Sequence, residues 1–194
     1  MPAKRARGNR QKRKPPVAGP PDAPSALNAR LLEAGPEARR FIHILARSQR
    51  TPQILELGTS YGYSTVWLAD AARAAGGRVT TMELHDDRSA YARDMTTRAG
   101  LADYVDFRVG KAVTLIEDLL VRFDFVLIAL WKDLYVPCLD AVYPKLNVGA
   151  IIVADDMSPG TDDVLRYART VRAKPHMASL CVPVGGGMEM SRYR

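Results

Sequence analysis

The stretch that most constrains this chain runs from Gln53 to Ala69, QILELGTSYGYSTVWLA. Ile54, Leu55 and Leu57 form the short apolar run of a strand covered on both faces, and one acid, Glu56, sits inside it. Gly58 and Gly62 follow, four apart, and Tyr63 to Leu68 continue at helical spacing. A strand therefore turns into a helix across two glycines, where a ligand can approach the backbone and the first N–H groups of the helix are free. The pattern reads as a cradle for a nucleoside cofactor, and the spacing narrows the choice. A dinucleotide turn, G-x-G-x-x-G, would carry glycine where Ser60 stands, and no Lys followed by Ser or Thr comes after Gly62. The spacing argues against NAD or FAD, and the turn is not a triphosphate P-loop.

Arg78 to Leu84 is the next strand, with Glu83 at its carboxyl end, 21 residues after Gly62. In a strand-helix-strand unit a carboxylate there can accept from both ribose hydroxyls. Alone it is equally a solvated strand-end acid; beside the glycine turn, the ribose role is favoured.

The pattern continues along the chain. The spacing predicts a helix from an N-cap at Ser25 to Gly35, and a second, opened by Pro36, that ends at Thr51-Pro52. Helices are predicted to about Ala75 and over 86–99, 112–120, 133–146 and 161–172, the fourth despite Pro137 and Pro144. Strands are predicted over 104–109, 123–130 and 148–154, and 177–184 with 188–193 form a hairpin across Gly185-Gly186-Gly187. Alternating strands and helices imply a parallel, doubly wound α/β sheet with ligands at the carboxyl ends of its strands, and the hairpin adds antiparallel pairing at one edge.

Composition separates a tail from a body. Residues 1–24 hold seven Lys or Arg (Lys4, Arg5, Arg7, Arg10, Lys12, Arg13, Lys14) against Asp22 alone, with six of the 13 prolines. Most of the formal charge of +7 belongs to this segment. It reads as a disordered basic tail, and residues 25–194 as one nearly neutral domain. The tail is a solubilising segment or an arm for nucleic acid or another anionic surface; without an apolar core it is not a secretory signal. No apolar run has the length of a membrane span. Cys138 and Cys181 lack metal-ligand spacing, so reduced thiols in a cytoplasmic protein are expected.

E-L-G-T-S-Y-G-Y-S, then T-M-E-L, then F-D-F-V-L-I-A-L-W-K-D-L-Y, then I-V-A-D-D-M resembles the S-adenosylmethionine-dependent O-methyltransferases of the catechol and caffeoyl-CoA type, over roughly residues 30–194. The resemblance implies a class I methyltransferase sheet, Rossmann-like, with strand order 3-2-1-4-5-7-6, and methyl transfer to a hydroxyl of a small, aromatic or similar acceptor. It places Glu56, Gly58, Ser60, Gly62 and Ser64 around the methionine end of the cofactor and Glu83 at its ribose. Gly110, Lys111 and Ala112 fall at the adenine edge and Trp131 beside the adenine ring. Lys132 falls on the general base; a cation at a helix start opposes the helix dipole, which favours the neutral amine a base needs. Asp155 and Asp156 fall on an Asp-Asn pair that holds a divalent cation in the family, whereas the third ligand position is Ala129. Two carboxylates and several waters can hold Mg²⁺, so a metal-dependent and a cation-independent enzyme both stay open. The strand from Met177 carries no acid of the kind that holds a second hydroxyl in the animal catechol enzymes. Family members are commonly homodimers. A third reading keeps the cofactor fold as a non-catalytic module whose basic tail touches nucleic acid.

Overall fold

A computed structural model describes residues 35–158 and 161–194. The expected tail, the helix from Ser25, the boundary at residue 24 and Pro159-Gly160 lie outside the described residues. The predicted elements appear as α1 (Gly35–Arg47), β1 (Gln53–Leu57), α2 (Tyr63–Ala75), β2 (Arg78–Glu83), α3 (Asp86–Arg98), β3 (Val105–Val109) and α4 (Ala112–Asp118). They continue as β4 (Phe123–Ile128), α5 (Tyr135–Val142), β5 (Leu146–Ala154), α6 (Asp162–Ala173), β6 (Met177–Val182) and β7 (Met188–Tyr193).

The helix expected over 133–146 is divided. Lys132–Leu134 is a 3-10 turn, α5 follows, and Tyr143–Lys145 is a second 3-10 turn that takes up Pro144. Pro137 sits in the first turn of α5, where an amide hydrogen would have no helical partner. Thr161 caps α6, its side chain accepting from Val164 N–H.

The seven strands form one sheet in the order β3-β2-β1-β4-β5-β7-β6. β1 to β5 pair in parallel, and β7 pairs antiparallel with both β5 and β6. The expected α/β architecture and strand order are both present. Side chains alternate across a strand, so each apolar run feeds two cores. Ile54, Phe125, Leu127, Ile151 and Val153 pack on the face covered by α1 and α2. Leu55, Leu57, Val126, Ile128 and Ile152 pack on the face covered by α5 and α6. Among the described residues no helix is long and apolar enough to cross a membrane.

The glycines of the turn after β1 are required by the chain's own packing. A Cβ on Gly58 (φ +100°) would lie 2.4 Å from the Ala129 carbonyl oxygen, and one on Gly62 (φ +82°) 2.8 Å from Ala92 Cβ. The turn is thus pressed against the end of β4 on one side and against α3 on the other. Gly58→Ala is expected to cost about 2–5 kcal/mol, combining left-handed backbone strain with backbone overpacking. Gly100→Ala, at φ +68° with open space around it, bears only the strain, about 1–2 kcal/mol. Urea unfolding of both variants checks the difference, and equal costs would contradict the close approach at Gly58.

Candidate active site

A cavity of about 370 Å³ opens where β1, β4 and β5 end, lined by the glycine turn, the residues after β4, the Asp155-Asp156 pair and Arg39 of α1. Its position is the one an open parallel sheet reserves for ligands. Two acids hold the turn that forms one wall. Glu56 is fully buried, and its Oε2 accepts from Thr65 Oγ1 of α2 and Thr81 Oγ1 of β2, both at 2.6 Å. Because Thr81 donates to Glu56, the 2.6 Å contact between Thr59 and Thr81 has Thr59 as donor, which ties the turn into the same chain. Glu83 accepts the Ser60 N–H at 2.8 Å on one oxygen and the Leu84 and His85 N–H groups on the other, at 3.0 and 3.1 Å. Ser60 has φ +48°, unfavourable for a residue with a side chain, and the Glu83 carboxylate holds its amide in place.

The opposite wall is a ring of charges. Arg39 Nη1 donates to Asp155 Oδ2 at 2.8 Å, with the two side chains only 11% and 5% exposed. Asp155 Oδ1 accepts the Asp156 N–H at 2.9 Å, so both its oxygens are engaged. Lys132 Nζ lies 3.1 Å from Asp156 Oδ2 and donates to Tyr135 Oη at 2.9 Å and the Asp155 carbonyl at 3.0 Å. Tyr135 in turn donates to that carbonyl at 2.8 Å. Burial, then the Asp155 and Asp156 charges, hold the Tyr135 phenol well above its usual pKa, so it stays protonated and serves as a fixed donor. Three acceptors match the three hydrogens of an ammonium at Lys132.

Of the residues picked from sequence, Gly58, Ser60, Ser64, Ala129, Trp131, Lys132, Asp155 and Asp156 line this one cavity. Trp131 is 72% exposed at its rim. Glu56 and Gly62 lie behind the wall, Glu83 supports it through Ser60, and Ala112 starts α4 beyond Gly110, whose N–H bonds the Glu83 carbonyl. Arg39 and Tyr135 were missed. Tyr135 closes the W-K-D-L-Y motif, which was a signal. Arg39 is adjacent to the Ala38-Ile42-Ala46 stripe that buries α1, whereas Arg40 points outward; that edge position was the only clue.

The donor set does not suit a divalent cation. Mg²⁺ needs hard oxygens in near-octahedral array, whereas Asp155 is closed by a guanidinium and an amide, Asp156 is paired with Lys132, and Ala129 has no ligating side chain. Among the described residues no group of three His, Cys, Asp or Glu could hold a metal ion.

Residues 55–157, more than half the chain, match the family model described as a methyltransferase domain, and the chain belongs to that family. It is 34% identical over 147 residues to the catechol O-methyltransferase of Niastella koreensis, covering 70% of this chain and 66% of that protein. To the catechol O-methyltransferase of Mus musculus it is 33% identical over 71% of this chain and 55% of that one. The chain thus spans between half and two thirds of the length of these relatives. The crystal structure of the O-methyltransferase from Bacillus cereus in complex with SAH superposes with a TM-score of 0.76 at 26% identity, covering 88% of this chain and 86% of that one.

Burial pushes the Glu56 carboxyl up, against the lowering effect of the Thr65 and Thr81 hydrogen bonds, the nearby Ser64 hydroxyl and the Arg39 charge. The folded state then holds this proton more tightly than the unfolded chain does. Its contribution to stability is therefore fully present below the ordinary pKa of 4.5 and declines as pH rises through the raised value. Glu56→Gln is expected to remove that decline. Urea midpoints of both proteins across the acid range check it, and parallel profiles would contradict a raised Glu56.

Proposed function

We propose that this chain is an S-adenosylmethionine-dependent O-methyltransferase that acts on a hydroxyl of a small aromatic acceptor. The observation that carries the reading is the single cavity that brings the glycine turn, Trp131 and Lys132 together at the carboxyl edge of the sheet. Support comes from the catechol O-methyltransferase relatives and from the SAH-bound neighbour of the same fold. The cofactor's sulfonium end would lie against Gly58, Ser60 and Ser64, and its ribose along the Glu83 side of the turn.

The chemistry is an in-line displacement. Lys132, as the neutral amine, would take the acceptor's hydroxyl proton as that oxygen displaces sulfur from the methyl carbon. When bound, S-adenosylmethionine would supply the methyl group, the electron pair of its carbon–sulfur bond going to sulfur to leave a neutral thioether. Alignment of the two reactants supplies much of the rate, and the cavity's rigid wall of hydrogen-bonded turn residues suits that task. No acid of the β6–β7 hairpin stands free for a second hydroxyl: Glu189 is buried and bonded to Arg172 and Ser179. A monohydroxy acceptor is therefore as acceptable as a catechol.

Isothermal titration of S-adenosylmethionine into the folded chain is expected to show micromolar binding. Glu83→Gln, which keeps the side chain's shape but loses one acceptor, should weaken it. Absence of binding would return the reading to a non-catalytic module. Lys132→Met is expected to lower kcat by about 10²–10⁴ with cofactor affinity retained. The assay follows labelled methyl transfer to a panel of phenols and catechols.

A further inference from the structure

We infer that Arg39 is the resident cation of this site. Its guanidinium stands at Asp155 in place of a divalent metal, so that the site excludes one and works without it. The role in methyl transfer rests on the function proposed above, whereas the exclusion of metal stands on the geometry alone.

Three features point the same way. First, the Arg39–Asp155 contact at 2.8 Å is nearly closed to solvent, and Asp155's second oxygen is taken by the Asp156 N–H. A metal at that carboxylate would have to share each oxygen with a donor already in place, one of them a guanidinium that repels it. Second, Lys132 already neutralises Asp156, so an arriving dication would meet two positive side chains at the cavity wall. Third, Ala129, at the remaining position, offers no ligating side chain, and its carbonyl faces the Gly58 turn. Arg39 is itself held for the purpose. α1 packs along α2 through Ala38, Ile42 and Ala46, and the guanidinium lies 5.9 Å from the Tyr63 ring centre. The Arg39 Nε is buried without a partner, so the group keeps a donor beyond its bond to Asp155. Unlike a bound ion, a guanidinium does not dissociate, and it keeps its charge throughout the physiological pH range. In the reaction above, Lys132 handles the proton while Arg39 stays positive throughout and offsets the charge that develops on the acceptor oxygen.

The test uses Mn²⁺ as the probe, its binding read by the loss of the free-ion paramagnetic resonance signal, on protein saturated with S-adenosylhomocysteine. The wild type is expected to leave Mn²⁺ free into the millimolar range. Ala129→Asp alone, which supplies a third carboxylate, should remain as weak, and adding Arg39→Met to it should tighten binding at least tenfold. Arg39→Lys, which keeps a cation, should behave like the wild type and guards against a folding artefact. Micromolar Mn²⁺ binding by the wild type, abolished by Asp155→Asn, would overturn the inference. Equal binding by Ala129→Asp and by the double variant would also overturn it, since Arg39 would then not be what keeps the metal out. The same proteins without ligand, first titrated with S-adenosylhomocysteine, separate the two claims: failure to bind it sinks the proposed function, while Mn²⁺ titration of the ligand-free proteins still decides the role of Arg39.

Discussion

Two carboxylates hold the turn between β1 and α2, and the rest of the site is built on that turn. Glu56 lies beneath it, buried in the middle of the sheet, and gathers hydroxyls from α2 and β2, one of which also takes the turn's Thr59. An isolated carboxylate in such a place is costly, so it is kept only with hydrogen bonds and a nearby cation to offset the lost hydration. Here Oε2 has two hydroxyl donors, Oε1 has no partner, and Arg39 supplies the field. Glu83 grips the same turn from the side through the Ser60 amide. The bends at Gly58, Ser60 and Gly62 all need positive φ, and these bonds, with the packing against Ala129 and Ala92, keep them from relaxing.

The charged wall across the cavity joins parts of the chain that are remote in sequence. Arg39 and Asp155 are 116 residues apart, yet their contact ties the first described helix to the end of β5. Lys132 and Tyr135 converge on the backbone carbonyl of that same Asp155, so the segment between β4 and α5 is fixed to β5 as well. One acid thus has its side chain on α1 and its carbonyl on the Lys132 turn. The β6–β7 hairpin completes the arrangement: the Met157 N–H donates to the Gly187 carbonyl and Ser158 Oγ to the Gly186 carbonyl at 2.5 Å. A Cβ on Gly186 would stand 2.9 Å from Asp156 Oδ1. The triple glycine is therefore more than a hairpin turn, because it lets the loop carrying Asp156 lie against it.

The layered sheet was legible because its signal is local. Apolar runs such as Ile151 to Ala154 and glycine breaks such as Gly76-Gly77 report on a few residues at a time, and alternation of strand and helix limits the topology to a handful. Expected ends were off by a few residues where a run of apolar residues outlasts its strand: Ala129 and Leu130 continue the pattern of β4 but already bend into the cavity. The meaning of the two turn glycines was not local. Whether a missing side chain serves a ligand or a neighbouring backbone depends on what packs there, and Ala92 and Ala129 are distant in sequence.

The sequence alone determined the strand-glycine-helix unit, the exclusion of dinucleotide and triphosphate turns, the two-faced sheet with its antiparallel edge, and the positions of Glu56, Glu83, Lys132 and the Asp155-Asp156 pair, because each is written in adjacent residues or in a fixed spacing. Only the tertiary structure decided what those groups touch. Arg39 and Arg40 are indistinguishable as letters, and it is the phase of α1 on the sheet that turns one toward Asp155 and leaves the other in solvent. A carboxylate pair reads as a metal site until a guanidinium closes it, since ion pairing is set by distance in space rather than along the chain.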